Sequence, residues 1–320
     1  MRRWTPEEKA TFARLKKAGK THQAIADVLG KSKNAVNLYS GKVKAETSAA
    51  AMPAILPDPA PEAGGPTLPE PIPLSFDPFP ITDIGTWLVI NDIHLPYHDK
   101  HIVQLAFTEA KRRNAVGVLY NGDILDSGEI SEHLRHNSAP KYVDEIVLGK
   151  QFFGWARAQL PNARHVYKEG NHEDRLDRYI MKKAPALEGL KGVDLPSFLE
   201  LKDYGIEWIN RKRIVRLGKL NVIHGHEYKG GISSPVNAAR GLYLKARASA
   251  MAGHLHSTST HPQPNIEGKV VVCWSVGCAC FLHPDWHPIN NWNHGFAFVD
   301  IEREGLFTVH NKQVIDGRIV

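Results

Sequence analysis

The sequence predicts an α/β fold preceded by a small all-α segment, on three observations. After residue 80, strand-like apolar runs alternate with helical patterns, and polar clusters recur directly behind the strands. The first 45 residues carry only helical periodicity. A proline-rich stretch separates the two, holding ten of the chain's 21 prolines. At 320 residues the chain has room for one sizeable domain and one small one, so it divides into residues 1–45, 46–80 and 81–320.

Composition narrows the class. No apolar run approaches the roughly 20 residues that span a bilayer, and "MRRWTPEEKATF" has no apolar stretch behind its basic start to make a signal peptide. A cytoplasmic protein without a membrane partner is expected. Cys273, Cys278 and Cys280 are too few and too close together for a disulfide framework and read as buried thiols. The formal charge of +6 is unevenly spread: residues 1–45 hold eleven Lys/Arg against Glu7, Glu8 and Asp27, a net of +8, which leaves −2 for the remainder. Any affinity for a polyanion therefore belongs mainly to the first segment.

That segment reads as three helices. Thr5-Pro6-Glu7-Glu8 supplies a capping residue, a proline for the first turn and a glutamate three after the cap, with Phe12 and Leu15 on the apolar face. Thr21 caps a second helix bearing Ala24, Ile25, Val28 and Leu29, which Gly30 stops. Ser32 caps a third with Ala35, Val36 and Tyr39. Ala26, Gly30 and Val36 have the spacing of the helix-turn-helix motif, and "TFARLKKAGKTHQAIADVLGKSKNAV" resembles the DNA-binding modules of bacterial and phage regulators and terminase small subunits. The resemblance implies DNA as partner, with Ser32, Lys33, Asn34 and Asn37 facing the major groove and Lys31 and Lys42 near phosphates. It also implies a bacterial or phage-infected cytoplasm. Residues 46–80 read as a flexible linker, unable to bury enough surface to fold alone.

Beyond the linker, five strand ends deliver polar residues: "TWLVI" before "NDIH", "AVGVLY" before "NGDILD", "HVYKE" before "GNHED", "KLNVI" before "HGHEY", and "SAMA" before "GHLH". In an open α/β sheet such loops share one edge. Carboxylates, an amide oxygen and imidazoles together suit a divalent transition metal better than calcium, and an aspartate can bridge two cations able to hold a phosphate between them.

The ordered set D-x-H, GD-x-x-D, GNH[ED], HG and GHxH resembles the calcineurin-like metallophosphoesterase superfamily over residues 84–300. The resemblance implies a two-sheet sandwich flanked by helices, with late strands near "VVCWSVG", "GFAFVDIE" and "LFTVHNKQVIDGRIV". It also implies two divalent metals, Mn2+ foremost, with Fe, Zn or Ni as alternatives. Asp92, His94 and His256 would hold the first metal, Asp123 would bridge both, and Asn171, His224 and His254 would complete the second. His172 would assist the leaving oxygen, oriented by Asp126, while a metal-held hydroxide attacks. Gly170 reads as the residue that lets the backbone turn.

Neighbouring residues have plainer readings. Glu173 supports the turn, Arg175 and Arg178 follow the turn and either meet phosphate or, as the first reading, form a solvated helix face, and His226 stands two residues from His224 as a lesser ligand candidate. "FLHPDWHPINNWNHGF", with His283, Asp285, His287 and His294, either lines a cleft or packs aromatics under surface histidines. Ser127 and Gly128 follow Asp126 where protein phosphatases of the family carry an arginine, which argues against phosphoprotein substrates. Expectation settles on a phosphodiesterase or nuclease acting on DNA. The alternatives are an esterase for small nucleotides, with the amino-terminal segment for targeting, and a catalytically silent DNA-binding regulator or packaging accessory.

Overall fold

The computed structural model describes residues 4–50, 68–72, 76–133, 140–210, 212–232, 236–285 and 287–320. The chain forms two compact units, Met1–Pro73 and Leu74–Val320. None of the described helices is long and apolar enough to cross a membrane.

The first unit contains α1 (Pro6–Lys17), α2 (His22–Leu29) and α3 (Lys33–Ala50). Thr5 and Glu8 cap α1 reciprocally, Glu8 Oε2 accepting from the Thr5 amide at 2.8 Å and Thr5 Oγ1 from the Glu8 amide at 3.3 Å. Gly30 ends α2 with φ of 60°, the left-handed conformation in which a Cβ is strained. Phe12, Ile25, Ala26 and Val36 are buried, and Trp4 stacks on Tyr39 with ring centroids 4.0 Å apart. Val28 departs from expectation at 63% exposure, because Ile25 and Ala26 are the buried residues of this eight-residue helix and Val28 falls outside their face. Helix α3 also runs past residue 45 into the expected linker, since Glu46 and the alanines behind it favour helix. Residues 51–67 and 73–75 of that linker lie outside the described residues.

The second unit holds β1 (Phe79–Ile81), β2 (Gly85–Ile90), β3 (Gly117–Asn121), β4 (Arg164–Lys168), β5 (Ile206–Ile209), β6 (Val215–Leu217), β7 (Leu220–Ile223), β8 (Ala250–Ala252), β9 (Ser259–Pro264), β10 (Val270–Ser275), β11 (His294–Ile301), β12 (Phe307–Ile315) and β13 (Arg318–Ile319). Its helices are α4 (Lys100–Arg112), α5 (Tyr142–Gln159), α6 (Asp174–Lys183), α7 (Leu195–Phe198) and α8 (Ala238–Ala246). Seven strands form one sheet in the order β13, β12, β11, β2, β3, β4, β5, and six form the other in the order β1, β6, β7, β8, β10, β9. Strand β1 lies within the stretch expected to be linker. Its Pro80 is tolerated because β1 is an edge strand, and β9, with Pro262 and Pro264, is the opposite edge.

Side-chain alternation builds the layers. On β2, Trp87 and Val89 join Leu119, Val166, Leu217, Val222, Met251 and Val299 in a core shared by both sheets, while Leu88 and Ile90 join Phe107, Phe153 and Leu176 from the helices α4 to α6. A third cluster seats Ala239 and Leu242 of α8 on Ile223, Ala250 and Cys273 of the second sheet. The expected two-sheet α/β sandwich flanked by helices is the architecture observed. Strands β2, β3 and β4 are parallel neighbours, as are β7 and β8. Their carboxyl ends carry the five motifs, three from one sheet and two from the other.

His165 on β4 is buried and uses both ring nitrogens, one 2.9 Å from the Tyr120 hydroxyl and one 3.1 Å from the Leu160 carbonyl. Burial lowers its pKa to about 4, with Arg157 adding to the effect. The folded protein therefore binds fewer protons than the unfolded chain between pH 6.5 and 4, and stability present above that window is lost as pH falls through it. His165→Asn is expected to flatten the pH slope of the unfolding free energy there by up to about 1.4 kcal/mol per pH unit, as measured by urea titration. An unchanged slope refutes the neutral assignment.

Candidate metal centre

Asp92, His94, Asp123, His254 and His256 follow their strands in left-handed backbone, with φ of 51°, 50°, 54°, 63° and 51°. Such conformations are costly for residues other than glycine and cluster where surroundings enforce them. Two carboxylates, the buried Glu173 and the largely buried Glu227, brace the loops around them. Glu173 accepts from the amides of Asp123 and Gly170 at 2.8 Å through Oε2, and through Oε1 from Ile124 at 2.8 Å, Leu125 at 3.3 Å and the Tyr167 hydroxyl at 2.6 Å. Burial and the charge of Asp123 raise its pKa, while Tyr167 and the amides counter them. Glu227 accepts from the amides of His224 at 2.8 Å and Gly225 at 2.6 Å, and pairs at 2.7 Å with the fully buried Lys168. Burial works against its charge, but Lys168 and the neighbouring histidines hold the carboxyl down at about 2.

Gly170 acts by its size. Its φ lies outside the left-handed region, which corrects the sequence reading, and a Cβ there would lie 2.6 Å from the Asp123 amide and 2.8 Å from Glu173 Oε2. The motif demands glycine because two loops press together at that point.

Each aspartate divides its oxygens. Asp92 Oδ2 accepts from the His254 amide at 2.8 Å and from the Asn91 side chain, leaving Oδ1 toward His256 Nε2 at 3.1 Å and His94 Nε2 at 3.8 Å. Asp123 Oδ1 accepts from the His172 amide at 3.0 Å, and Oδ2 lies 3.2 Å from His224 Nε2 and 3.9 Å from His94 Nε2. Asp123 Oδ2 therefore stands between His94 Nε2 and His224 Nε2. Asn171 Oδ1 is 3.1 Å from His224 Nε2, and Asp123, His224 and His254 bring one ligand atom each within 4.8 Å of one another.

The imidazoles are held from behind. His224 Nδ1 meets the Asn121 carbonyl at 2.7 Å, His94 Nδ1 meets Asp126 Oδ1 at 3.3 Å, and His256 Nδ1 meets Cys280 Sγ at 3.9 Å. Each outer contact fixes the ring and turns Nε2 inward, as outer partners do for metal-binding histidines. His94 Nε2 and His256 Nε2 face each other at 3.3 Å, a separation suited to two nitrogens each about 2.0–2.1 Å from one transition-metal ion.

Charge supports the same reading. Burial opposes ionisation of Asp92, yet His256, His94 and His224 hold its carboxyl far below the usual range. Against burial, aspartates push His94 and His224 up to about 10 and His256 up to about 9. The carboxylates demand cations, and protons on these rings are the smallest available. A divalent ion satisfies the same demand through the same nitrogen lone pairs, so the residues present fit a metal centre.

Several sequence readings need adjustment. The Asp126 carboxylate contacts His94 more closely than His172, which is 3.5 Å away; His172 Nδ1 instead meets the Asp126 backbone carbonyl at 2.6 Å. Burial, aided by His94 and Arg175, lowers the pKa of His172 to about 3. Arg175 is no solvated face. Its guanidinium donates to the Asp126 carbonyl at 2.7 Å and to His172 Nε2 at 2.9 Å, lining the cleft. Arg178 is half-exposed and pairs with Asp174 at 2.9 Å, as a surface residue does. Cys280 is a buried free thiol, as the sequence reading has it, and it also stands with His94 and His256 in a potential metal-binding group. Its proximity to "GHLH" becomes visible only when β8 and β10 pair. The Trp- and His-rich loop lines the cleft through Phe281, Pro284 and Trp292, whereas His283 is exposed and bonds to the Pro288 carbonyl at 3.1 Å.

In the amino-terminal unit the expected DNA contacts divide. Lys31 pairs with Glu8 at 3.0 Å over the Trp4 ring, with 11% of its side chain exposed, which removes it from phosphate contact. Ser32 caps α3 through the Ala35 amide at 3.2 Å, and Asn37 bonds to His22 at 2.6 Å. Lys33 and Asn34 are exposed, and the Lys42 side chain lies outside the described residues.

No family model and no curated protein matches the chain. Among solved structures it is similar to Vps29 from Entamoeba histolytica, with 16% identity over 73% of this chain and 96% of that one and a TM-score of 0.39. It is also similar to Vps29 from Cryptosporidium parvum, with 13% identity over 74% and 96% and a TM-score of 0.39. A dimetal phosphatase from Danio rerio matches with 12% identity over 73% and 96% and a TM-score of 0.35.

Glu173→Gln keeps the volume but turns an acceptor into an amide that faces buried donors. It is expected to cost about 3 kcal/mol of stability in urea unfolding and to weaken Mn2+ binding measured by calorimetry. A neutral effect on both rules out the supporting role.

Proposed function

We propose that the chain is a two-metal phosphodiesterase acting on DNA, with its amino-terminal unit as a DNA-binding module. The observation that carries the catalytic half is the convergence of three Nε2 atoms on one free oxygen from each of two aspartates, every ring secured from behind. Asp92, His94, His256 and Asp123 would hold one ion, and Asp123, Asn171, His224 and His254 the other. When bound, two such ions, Mn2+ foremost, supply positive charge to phosphate oxygens and acidify water.

The chain's own residues supply the remaining chemistry. Arg175 places a guanidinium in the cleft, in a region where protein phosphatases of the resembled superfamily use an arginine after GD-x-x-D. It can therefore balance phosphate charge from α6 instead. His172 lines the same cleft with Nδ1 donating to the Asp126 carbonyl and Nε2 accepting from Arg175, so it would serve the leaving oxygen only after phosphate draws Arg175 off and Nε2 takes up a proton to pass on. Tyr97, Phe281, Pro284 and Trp292 form an apolar wall that limits water and packs against the ester's organic part.

DNA as the substrate is supported by the net charge of +8 in residues 1–45 and by the geometry of α2 and α3. Ala26 and Val36 are buried and Gly30 is left-handed, the three features that the helix-turn-helix reading requires. A second reading, hydrolysis of small nucleotides, has its own support in the cleft volume of about 220 Å³ beside the aromatic wall.

His172→Ala is expected to retain metal while losing about 100-fold in kcat on a diester with an alkoxide leaving group and much less on bis(4-nitrophenyl) phosphate. Equal losses would remove the proton-donor role. Deleting residues 1–45 should leave turnover of the nitrophenyl diester unchanged while lowering DNA affinity and its salt dependence. Unaltered affinity in a filter-binding or anisotropy assay rejects the DNA-binding module.

A further inference from the structure

At Asn171, Arg175 and His254 the metal cleft meets a second, larger groove of about 710 Å³, which these three residues also line. A ligand seated at the centre thus has a continuous path outward. The wall of that path is set by α6. Arg175, Arg178 and Lys182 recur at i, i+3 and i+7, which places three cations along one helix face over about 10 Å. Between them Tyr179 lines the groove with 43% of its surface exposed, so its ring face is open to a ligand seated there. Lys183 and His226 extend the same lining.

The existing acidic partners of Arg178 and Lys182 are weak competitors. Arg178 pairs with Asp174 and donates to the Asn171 carbonyl at 3.3 Å, and Lys182 pairs with Glu132 across the groove, where both side chains are more than half exposed. Exposed pairs of this kind contribute about 0–1 kcal/mol, so phosphates can displace them readily. A mononucleotide would occupy the cleft alone and make no use of this wall. A chain of phosphates would.

We propose that this groove seats the strand flanking the scissile phosphate, so that the substrate is a single-stranded nucleic acid, with successive phosphates on Arg178 and Lys182 and a base stacked on Tyr179. Basic residues in file with an aromatic face among them are the means by which single strands are held without sequence preference. A duplex keeps its bases paired inside and offers Tyr179 no face to stack on. The inference rests on the reading of the adjoining centre as a phosphodiesterase.

The test uses the full chain with added Mn2+ and three probes: bis(4-nitrophenyl) phosphate, a single-stranded oligonucleotide and the same sequence as a duplex. Every variant keeps the amino-terminal unit, so its contribution to DNA binding cancels. Tyr179→Ala is expected to lower kcat/KM on the single strand by about tenfold, in line with the loss of one stacked base. Arg178→Gln with Lys182→Gln should lower it further and make its salt dependence shallower. Both variants should change the small diester by less than about twofold, and the duplex should be cut more slowly than the single strand by the unaltered protein.

The proposal is overturned if the variants affect the small diester and the oligonucleotide equally, if the duplex is preferred, or if the single strand is not cut while the small diester is. Absence of turnover on all three probes would instead refute the phosphodiesterase reading on which the proposal rests.

Discussion

Three aspartates, Asp92, Asp123 and Asp126, are buried around one cleft, and their charge is the constraint from which most of the site follows. Carboxylates removed from water must be met by hydrogen-bond donors and by cations, or they do not stay ionised. Asp92 and Asp123 each commit one oxygen to a backbone amide and keep the other for the centre. The inward oxygens come from loops behind β2 and β3 of the seven-stranded sheet, whereas His224, His254 and His256 reach them from the six-stranded one. Helices and a second sheet are needed to bring the compensating groups to the same place.

Rigidity comes from groups that never face the cleft. Glu173 draws together the loops after β3 and β4, and Glu227 with Lys168 performs the same service for the loop after β7. Both glutamates act by accepting backbone N–H bonds in a dry interior, where each bond is worth most and an unmet donor is costly. Glu173 holds the amide of left-handed Asp123, and Asp92 Oδ2 holds that of left-handed His254. Asn121, Asp126 and Cys280 then fix the rings from behind, so the donor set is organised before any ion arrives, as low-cost binding requires.

On the proposed reading, the cleft, the groove beside α6 and the basic amino-terminal unit would address three scales of one polyanion: a single ester, its neighbouring nucleotides and a further stretch of the same strand. Two binding units carried on one chain would then raise the local concentration of substrate without adding a contact at the centre. Arg175 lines both the cleft and the groove, and its two hydrogen bonds, to the Asp126 carbonyl and to His172 Nε2, tie α6 to the loops behind β3 and β4.

The candidate ligand cluster was legible from the amino-acid sequence, because strand periodicity puts each motif at a strand end and the chemistry of Asp, His and Asn narrows what such a cluster can hold. The caps of α1 and α2 were legible for the same reason: they are made within four residues. What only the tertiary structure decided lies between segments distant in sequence. Cys280 reaches His256 through strand pairing, Arg175 turns toward Asp126 because α6 buries Leu176 and Ile180 on its other side, and Asp126 orients His94 ahead of His172. Lys31 is withdrawn from solvent by Glu8 and Trp4 across a turn. Local spacing specifies which side chains leave a strand together, whereas the partner each one meets depends on how separate elements pack, and packing is a property of the whole fold.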